Sequence, residues 1–594
     1  MKVSRNWLQN YFADPLPSAE KIADALTFHA FEIEGTERAG SDDVIDVKVT
    51  PNRGHDALSH RGIAKELSAI LQLPMKPEVD PFAKKPDFSK KADAVSVTIE
   101  DAGLCRRYIA GHITGVTVGQ SPDWLRQSLE SIGQRSINNI VDATNLVMFD
   151  IGQPLHAFDA AKLGSLQIGV RHAREGERLD ALDDKTYALT TAMLVITAGD
   201  VPVGIAGVKG GKPTGIDETT TDIILEAANF NGPTMRRTAA ALKLSTDASQ
   251  RFQQVLSPEL AGYGMQQAVE LITAIAGGEV RGFVDEYPNP AKPQRVSFSA
   301  TQTSKLLGIS VSPDDIKAAL QRLDFAFEES RGAFSVDVPF ERLDLTIPED
   351  LIEEVGRLIG YEKIPAQELP ASPKSPAPNE NFAKAETIRE QLLEKGYSEV
   401  YTSVFADKGE VAVLNKIDSV RPFLRSNLLD GLTEAVKKNI PHKDLLGLRE
   451  VKLFEIGTVW KDGKEEVHVA SVGEKEKPEE RPLADIEAGS TGELPLSKAE
   501  RYYPFSRYPS ITRDIALWTP ADTDKGDVRH TIVNTAGPLL VRIDFFDEFK
   551  KDDKISYAYR LVFQSPEKTL TDDEINGQMD EVYAAVKSKG WTVR

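Results

Sequence analysis

The sequence predicts an α+β protein built from several domains, and three observations support this fold class. The chain has 594 residues, whereas a single hydrophobic core rarely grows beyond about 250–300 residues. Apolar residues recur with a helical period at Ile63, Leu67, Ile70 and Leu71. They alternate with a strand period in residues 95–99, which read Val-Ser-Val-Thr-Ile. Both periods in one long chain favour helices and sheets arranged in separate modules.

Polar and proline-rich segments mark the expected boundaries between these modules. Residues 84–91 are polar and basic, and prolines 288, 290 and 293 mark a second boundary. Residues 369–378 are rich in proline and serine, which favours an extended linker. Residues 474–480 are a charge run, for which we expect a solvated loop.

Composition indicates a globular chain from a reducing compartment. Hydrophobic residues make up 41% of the chain and charged residues 27%. Cys105 is the single cysteine, which excludes an intramolecular disulfide and a cysteine-rich zinc site. No apolar run approaches the roughly 18 residues of a membrane span, and the first residues lack a signal-peptide core, so we expect a cytoplasmic protein. The net charge of −20 argues against a generic nucleic-acid coat but leaves local RNA-binding patches open.

Carboxylates gather around a helix that we expect to begin near Pro348. Thr346 and Glu349 have the spacing of a capping box, and proline suits the first helical turn. The predicted buried stripe consists of Leu351, Val355, Leu358 and Ile359. The acidic residues on one side are Asp350, Glu353 and Glu354, with Asp344 just before the helix. Such oxygen-rich sets suit a hard cation such as Mg²⁺, but spacing alone favours a solvated acidic face on which Glu353 pairs with Arg357.

This segment resembles the Mg²⁺-binding segment of the phenylalanyl-tRNA synthetase β subunit of bacterial type. The shared pattern is Arg342-x-Asp344, followed by Asp350-Leu-Ile-Glu353-Glu354-x-x-Arg357-x-x-Gly360-Tyr361. Because of this resemblance, we favour an Mg²⁺ site over a solvated acidic face. The ligands that it implies are Asp344, Asp350, Glu353 and Glu354.

The resemblance extends over nearly the whole chain, beginning with a helix-rich N-terminal module at residues 1–85. Residues 3–8 and residues 50–66 look like the two halves of this module. The family usually carries a small oligonucleotide-binding barrel between these halves, and that barrel touches tRNA. In this chain the two halves follow each other directly, so the insert is absent near residues 38–43.

Residues 92–290 resemble the α/β editing region of the family, of the B3/B4 type. The landmarks are residues 139–145, 152–159, 204–211, 225–228 and 245–252. The resemblance implies that the editing site contains Thr144, His156, Gly207, Gly210 and Glu226. Considered singly, the glycines could form ordinary turns, the histidine could be a core residue and the glutamate a buried ion-pair partner. The stretch from Gln253 to Ser257 departs from the family pattern.

Three further modules complete the resemblance. Residues 291–368 resemble the B5-type module that contains the Mg²⁺ segment. Residues 380–475 resemble a degenerate, shortened class II synthetase module with an antiparallel sheet and no legible ATP-binding signature. Residues 501–594 resemble a ferredoxin-like anticodon-binding module, for which we expect β-α-β-β-α-β order.

The function implied by the resemblance is that of the β subunit of phenylalanine–tRNA ligase. A separate α subunit would attach phenylalanine to tRNA(Phe) with ATP as substrate, so no residue of this chain is implied to catalyse aminoacylation. The β subunit would bind tRNA and hydrolyse mischarged tyrosyl-tRNA(Phe), in an α₂β₂ heterotetramer that needs Mg²⁺ and makes no membrane contact. Two alternatives stay open, namely a free-standing tRNA deacylase and a non-catalytic RNA- or protein-binding adaptor.

Overall fold

The computed structural model describes residues 1–370, 379–415, 419–487 and 504–594. The chain divides into two compact units, residues 1–368 and residues 369–594, which are described separately below. Most of the proline-rich segment predicted as a linker at residues 369–378 lies outside the described residues. Within the described ranges, no helix combines the length and the apolar character that crossing a bilayer requires.

The N-terminal part of the first unit packs helices against a three-stranded sheet in the order β1-β3-β2. Its elements are β1 (Lys2–Ser4), α1 (Arg5–Gln9), α2 (Ala19–His29), β2 (Glu32–Ala39), β3 (Asp42–Lys48), α3 (Gly54–Ala57) and α4 (His60–Leu71). The predicted stripe on α4 is confirmed, because Ile63 and Leu67 are fully buried. Where the insert is expected to be absent, β2 and β3 form a hairpin, and Gly40 in its tight turn has a positive φ of 63°.

The middle of the first unit begins with β4 (Ser96–Ile99), which confirms the predicted strand. The next elements are β5 (Cys105–Thr114), α5 (Asp123–Ser131), α6 (Asn139–Ile151), β6 (Leu155–Asp159), β7 (Gln167–His172), β8 (Arg178–Asp180) and β9 (Thr186–Ala188). They are followed by β10 (Leu194–Ala198), β11 (Val201–Ile205), β12 (Lys209–Gly210), β13 (Asp222–Phe230), α7 (Gly232–Leu242), α8 (Asp247–Phe252), α9 (Pro258–Ala276) and β14 (Glu279–Glu286).

Two sheets share one hydrophobic core in this middle part. One has the order β12-β11-β10-β7-β4, and the other has the order β14-β5-β13-β6. Strand β13 is central in the second sheet and is apolar and buried along most of its length. Glu226 is the charged exception among its buried residues, which makes this position informative, since buried carboxyl groups need a partner or a purpose.

The last part of the first unit packs three helices on a sheet in the order β15-β17-β16. Its elements are β15 (Gln294–Ser299), α10 (Ala300–Leu307), α11 (Pro313–Arg322), β16 (Ala326–Ser330), β17 (Ala333–Val338) and α12 (Pro348–Ile359). Helix α12 confirms the predicted helix near Pro348, although it begins one residue after the position that the predicted capping box requires, and Leu351, Val355 and Leu358 of its predicted stripe are buried.

The second unit begins with a four-stranded sheet in the order β18-β21-β22-β23. Its elements are α13 (Glu380–Glu394), β18 (Ser398–Glu399), β19 (Phe405–Ala406), β20 (Phe423–Leu424), α14 (Leu429–Asn439), α15 (Lys443–Leu446), β21 (Lys452–Lys461), β22 (Lys464–Gly473) and β23 (Glu479–Pro482). The charge run at 474–480 is only partly the predicted solvated loop. Its end enters β23, where Glu480 pairs with Ala470 of β22, and the Glu480 side chain contacts His468 at 2.8 Å.

The C-terminal part contains β24 (Ile511–Pro520), α16 (Lys525–Thr535), β25 (Leu540–Lys551), β26 (Lys554–Phe563), α17 (Asp572–Ser588) and β27 (Thr592–Val593). The predicted β-α-β-β-α-β order is confirmed, and the sheet order is β25-β26-β24-β27. Both helices contribute to the core on one face of this sheet, and the other face carries the aromatic side chains described below.

Candidate functional site

Four of the five residues predicted for the editing site line one cavity in the middle of the first unit. Glu226 lies on β13, His156 on β6 and Gly210 on β12, while Gly207 lies in the turn before β12. The cavity encloses about 430 Å³ of empty space including its mouth. Both sheets contribute to its walls, which combine apolar side chains with polar groups such as those of His156, Lys209 and Glu226. We call it the Glu226 cavity.

Glu226 and His156 are direct neighbours across strands β13 and β6. Burial raises the pKa of Glu226 to about 8, although the Tyr108 hydroxyl, which donates to Oε2 at 2.9 Å, lowers it in part. Burial also lowers the pKa of His156 to about 4. Both groups are therefore mainly neutral near pH 7, so the cavity offers hydrogen-bonding groups rather than a fixed ion pair.

The His156 ring leaves one nitrogen available to a ligand. Its Nε2 is buried and has no hydrogen-bond partner in the described part of the chain. The ring stands edge-on to Phe158, with the two centroids 4.5 Å apart. A buried polar atom without a partner costs free energy, so this nitrogen is free to bond to a water molecule or a ligand in the cavity.

Of the three glycines that line the Glu226 cavity, Gly207 and Gly210 are required by close approach. A Cβ atom at Gly210 would lie 2.5 Å from Cε1 of His156. Gly207 has a positive φ of 65°, and a Cβ atom there would lie 2.9 Å from the Phe252 ring. Any larger residue at either position would therefore push into the cavity wall or the histidine.

The fifth predicted residue, Thr144, is not among the residues that line the Glu226 cavity. It lies on α6, where its hydroxyl donates to the Val141 carbonyl at 2.7 Å. Back-bonding of this kind satisfies a helical threonine locally. The residue that sequence reasoning missed is Tyr108 on β5. The sequence offers one indication of this residue, namely a hydroxyl-bearing side chain next to the apolar residues at the centre of that strand.

The stretch that departs from the family pattern does not line the Glu226 cavity. Phe252 is the last residue of this region to reach the cavity, while Gln254 and Val255 line a different cleft. Val255 has a positive φ of 60°, which is strained for a β-branched residue. Ser257 caps helix α9. The departures therefore alter a neighbouring surface rather than the cavity wall.

That neighbouring cleft of about 1250 Å³ is lined by all four predicted Mg²⁺ ligands, and we call it the acidic cleft. Glu354 is buried and accepts hydrogen bonds from Arg342 at 2.9 Å and from Arg357 at 2.6 Å. Burial acts to raise the pKa of Glu354, but the two guanidinium groups outweigh it and hold this pKa well below the usual range. Glu354 is thus the centre of a buried ionic network.

Asp344 and Asp350 at the acidic cleft are also engaged. Asp344 accepts from Arg342 at 2.7 Å and contacts His55 at 3.0 Å. Although burial acts in the opposite direction, these contacts hold the pKa of Asp344 well below its usual range. Asp350 accepts from the backbone N–H of Ile347 at 2.9 Å and caps helix α12.

The predicted capping box of this helix was wrong, and the Glu353–Arg357 pair of the alternative interpretation does not form. The capping carboxylate is Asp350 and not Glu349, because the helix begins one residue later than the predicted box requires. Arg357 pairs with Glu354 and Glu66 rather than with Glu353, since it points into the core. Glu353 is exposed and makes no hydrogen bond or ion pair with any described residue.

The donor set of the acidic cleft fits Mg²⁺ in kind, since all four side chains offer carboxylate oxygens. The structure brings them to one cleft but does not place them around one point. In the described ranges, no group of three or more His, Cys, Asp or Glu residues is arranged to hold a metal ion. Mg²⁺ at these residues therefore stays a prediction.

An aromatic face on the C-terminal sheet forms a third candidate surface. Trp518 of β24 and Phe549 of β25 both pair with Ser556 of β26, so they lie in one row across the strands. The Arg594 guanidinium lies 5.7 Å from the Trp518 ring centroid and 5.3 Å from that of Phe549. Phe546 is 56% exposed nearby. Exposed rings beside guanidinium groups are typical of surfaces that stack nucleic-acid bases.

Four families match consecutive parts of the chain. They are described as "B3/4 domain" at residues 104–277, "tRNA synthetase B5 domain" at 296–361, "Phenylalanyl tRNA synthetase beta chain CLM domain" at 364–507 and "Ferredoxin-fold anticodon binding domain" at 506–594.

Relatives that are named "Phenylalanine--tRNA ligase beta subunit" match almost the full chain. One such protein from Bacillus cereus is 32% identical over 99% of this chain and 83% of its own length. The chain belongs to the phenylalanine–tRNA ligase beta subunit family. The beta subunit from Solibacter usitatus is 32% identical over 91% of this chain and 80% of its own length. The beta subunit from Salinibacter ruber is 30% identical over 91% and 78%.

Membership of the beta subunit family confirms the predicted resemblance. It also confirms the mixed α/β multidomain class with B3/4, B5 and ferredoxin-like anticodon-binding domains. A solved N-terminal fragment of the phenylalanyl-tRNA synthetase beta subunit from Pyrococcus horikoshii is 14% identical, with a TM-score of 0.37, over 60% of this chain and 99% of the fragment. A likeness at that level carries no argument about this chain.

Proposed function

We propose that the chain is the non-aminoacylating beta subunit of a phenylalanine–tRNA ligase (EC 6.1.1.20) and that its Glu226 cavity hydrolyses tyrosyl-tRNA(Phe). Family membership over almost the whole length supports the first part. The proposed hydrolysis is supported by the cavity itself. In it a neutral Glu226 lies beside His156, whose Nε2 nitrogen has no hydrogen-bond partner among the described residues. We also propose that the chain is divided into five domains, at residues 1–85, 92–290, 291–368, 380–475 and 501–594.

A second site is needed because of how hydrophobic pockets discriminate. A pocket shaped for phenylalanine rejects tyrosine, which only adds a hydroxyl, by about 10². The Glu226 cavity reverses the selection, because its buried carboxyl group would bond to the phenol of a tyrosyl group. A phenylalanyl group would leave that carboxyl oxygen without a partner, at a cost of roughly 1–3 kcal/mol.

The other cavity residues would hold the ester. His156 is neutral, so its Nε2 can bond to the ester or to the attacking water without a buried charge. Gly207 and Gly210 keep the walls open for the aminoacyl group. Thr144 was predicted to act here as well; to donate a hydrogen bond in the cavity, its hydroxyl would have to leave the Val141 carbonyl.

Hydrolysis of preformed tyrosyl-tRNA(Phe) by the purified complex with the α subunit tests this function. We expect the wild type to clear the mischarged tRNA, and Glu226→Ala to leave it largely intact while phenylalanine charging persists. The matched control is Glu218→Ala, since Glu218 is an exposed glutamate of the same region. If Glu226→Ala clears the ester at the normal rate, the proposed role of Glu226 is wrong.

We also propose that the aromatic face binds tRNA at the anticodon. The C-terminal module, residues 501–594, carries 14 Lys and Arg against 15 Asp and Glu, so it is nearly neutral in a chain of net charge −20. Trp518, Phe546 and Phe549 would stack unpaired bases, with Arg594 beside them. This contact would gain importance if the oligonucleotide-binding insert is absent.

The proposed assembly is an α₂β₂ heterotetramer, in which residues 380–475 form a degenerate class II module that supports the α subunit. ATP is a substrate of the whole enzyme. We propose Mg²⁺ as a structural ion held by Asp344, Asp350, Glu353 and Glu354, where it would neutralise carboxylates that line one cleft. Co-purification with an α chain, and the mass of the resulting complex, test the assembly. An isolated chain that charges tRNA with phenylalanine would contradict it.

A further inference from the structure

Tyr108 is a buried hydroxyl group that the proposed editing function does not yet use. It lies on β5 with no exposed surface. Its hydroxyl donates to Oε2 of Glu226 at 2.9 Å, and it is not among the residues that line the cavity. A phenylalanine would fill the same volume. The hydroxyl therefore calls for an explanation beyond packing, and its partner is the carboxyl group that lines the cavity.

We propose that Tyr108 is a positioning residue for Glu226: it occupies one carboxyl oxygen from inside the core, so that the other oxygen is presented to the hydroxyl of the ligand. The ligand class is an aminoacyl ester that ends in a phenol, so this inference rests on the proposed editing function. Glu226 would then bond to two phenol groups. Tyr108 supplies one from the core, and the tyrosyl ligand supplies the other from the cavity.

Strand register makes this arrangement rigid. Glu226 pairs with Ala110, and Tyr108 pairs with Ala228, in the antiparallel ladder between β5 and β13. The two polar side chains are diagonal neighbours on one face of the sheet, within reach of long side chains. The paired alanines are small, which leaves the tyrosine ring room to reach across. Oε1 of Glu226 has no hydrogen-bond partner in the described part of the chain.

The electrostatics of the site agree with this geometry. The groups that face Glu226 are Cys105 and Tyr108 on β5, His156 on β6, and Lys209 on β12 at the cavity wall. Burial raises the pKa of Glu226 to about 8, and the bond from Tyr108 opposes that rise. Removing the bond should therefore favour the protonated carboxyl group further and free it to turn.

The test is Tyr108→Phe in the complex with the α subunit, assayed on preformed tyrosyl-tRNA(Phe). We expect kcat/KM for hydrolysis to fall by about three- to tenfold, the range that one hydrogen bond commands, while phenylalanine charging is unchanged. The preference for tyrosyl over phenylalanyl esters should also change with pH at a higher midpoint than in the wild type. A residue with only a structural role would not shift this midpoint.

Two comparisons separate the possible outcomes. Tyr11→Phe is the matched control, because Tyr11 is another buried tyrosine, bonded at 2.7 Å to Asp150 and remote from the cavity lining. It should lose similar stability and keep full hydrolysis. In a Glu226→Gln background, Tyr108→Phe should add little, since the two act together.

Fully additive effects, or a Tyr108→Phe variant with wild-type kcat/KM and midpoint, would overturn the positioning role. If Tyr11→Phe and Tyr108→Phe lower hydrolysis equally, the effect is one of stability and the role is likewise refuted. If Glu226→Ala hydrolyses the ester normally, the proposed editing function fails instead, which is a separate result.

Discussion

His156 and Glu226 stand opposite each other on β6 and β13, and the proton of the carboxyl group is retained to unusually high pH. A histidine beside a carboxylate normally gains a proton and pairs with it. Here burial acts on both groups and favours the neutral form of each. A neutral pair can bond to an uncharged ester and phenol without first breaking an ion pair, and this property leads to the first prediction.

Glu226→Gln should make the protein more stable than the wild type at alkaline pH. In the unfolded chain the carboxyl group loses its proton near its ordinary pKa of 4.5, whereas in the folded chain it retains it to about 8. The folded state binds more protons within this window, so the free energy of unfolding falls as pH rises through it. The upper limit is about 5 kcal/mol, at 1.36 kcal/mol for each pH unit.

The measurement for this prediction is the difference in melting temperature between the two proteins at about pH 5 and at about pH 9. Relative to the wild type, the melting temperature of the variant should rise between these two pH values. Glu218→Gln, at an exposed position, should show no such change. A constant difference across the range would contradict the burial of an ionisable Glu226.

Gly210→Ala should abolish most hydrolysis of tyrosyl-tRNA(Phe). The new Cβ would lie 2.5 Å from the His156 ring, so the ring must move and the cavity must shrink. Displacement of a positioned group by about 1 Å can cost on the order of 10²-fold in rate. Gly35→Ala is the control, because a Cβ there meets nothing within 4 Å. Normal hydrolysis by Gly210→Ala would show that the position of the His156 ring is not important for hydrolysis.

Glu354→Ala should destabilise the first unit severely. It would leave Arg342 and Arg357 buried and without one of their carboxylate partners, and breaking a buried pair in this way costs about 3–5 kcal/mol. Glu353→Ala, at the adjacent exposed position, should change stability by less than about 0.5 kcal/mol. Urea denaturation in the presence of a chelator measures both values without a contribution from bound metal. Equal effects would mean that the ionic network contributes little.

Mg²⁺ should raise the melting temperature of the wild type through the acidic cleft. A ligand that binds only the folded state stabilises it by RT ln(1 + [L]/Kd), so the gain should grow with the Mg²⁺ concentration. Asp350→Asn combined with Glu353→Gln keeps the shape of the cleft and removes two charges, so the gain should shrink or vanish. An unchanged gain in the double variant would place the ion elsewhere.

Phe549→Ala should raise the KM for tRNA in phenylalanine charging and leave phenylalanine activation unchanged. One stacked base is worth about 1–3 kcal/mol, which corresponds to a rise of roughly 5- to 150-fold. Tyr583→Ala is the control, because Tyr583 is a partly exposed aromatic residue on helix α17. Equal loss of activation and charging would argue against an anticodon contact by the aromatic face.

Helix α12 shows which features residue patterns predicted correctly and which they did not. Pro348 and the apolar stripe located the helix, because proline fits a first turn and burial follows the helical period. The cap was misplaced by one residue, since a boundary depends on the actual first turn. The partner of Arg357 was missed because Glu66 lies 291 residues away in the chain. Local spacing contains no information about such a partner.

The residues of the chain alone were enough to identify the family, the module order, the ferredoxin-like topology and four residues of one cavity. Only the folded molecule showed that Thr144 bonds to its own helix, that the departures at Gln254 and Val255 face another cleft, and that Tyr108 holds Glu226. The physical reason is strand register. A shift of one residue between β5 and β13 would turn Tyr108 to the other face of the sheet, and register is set by packing across the whole core.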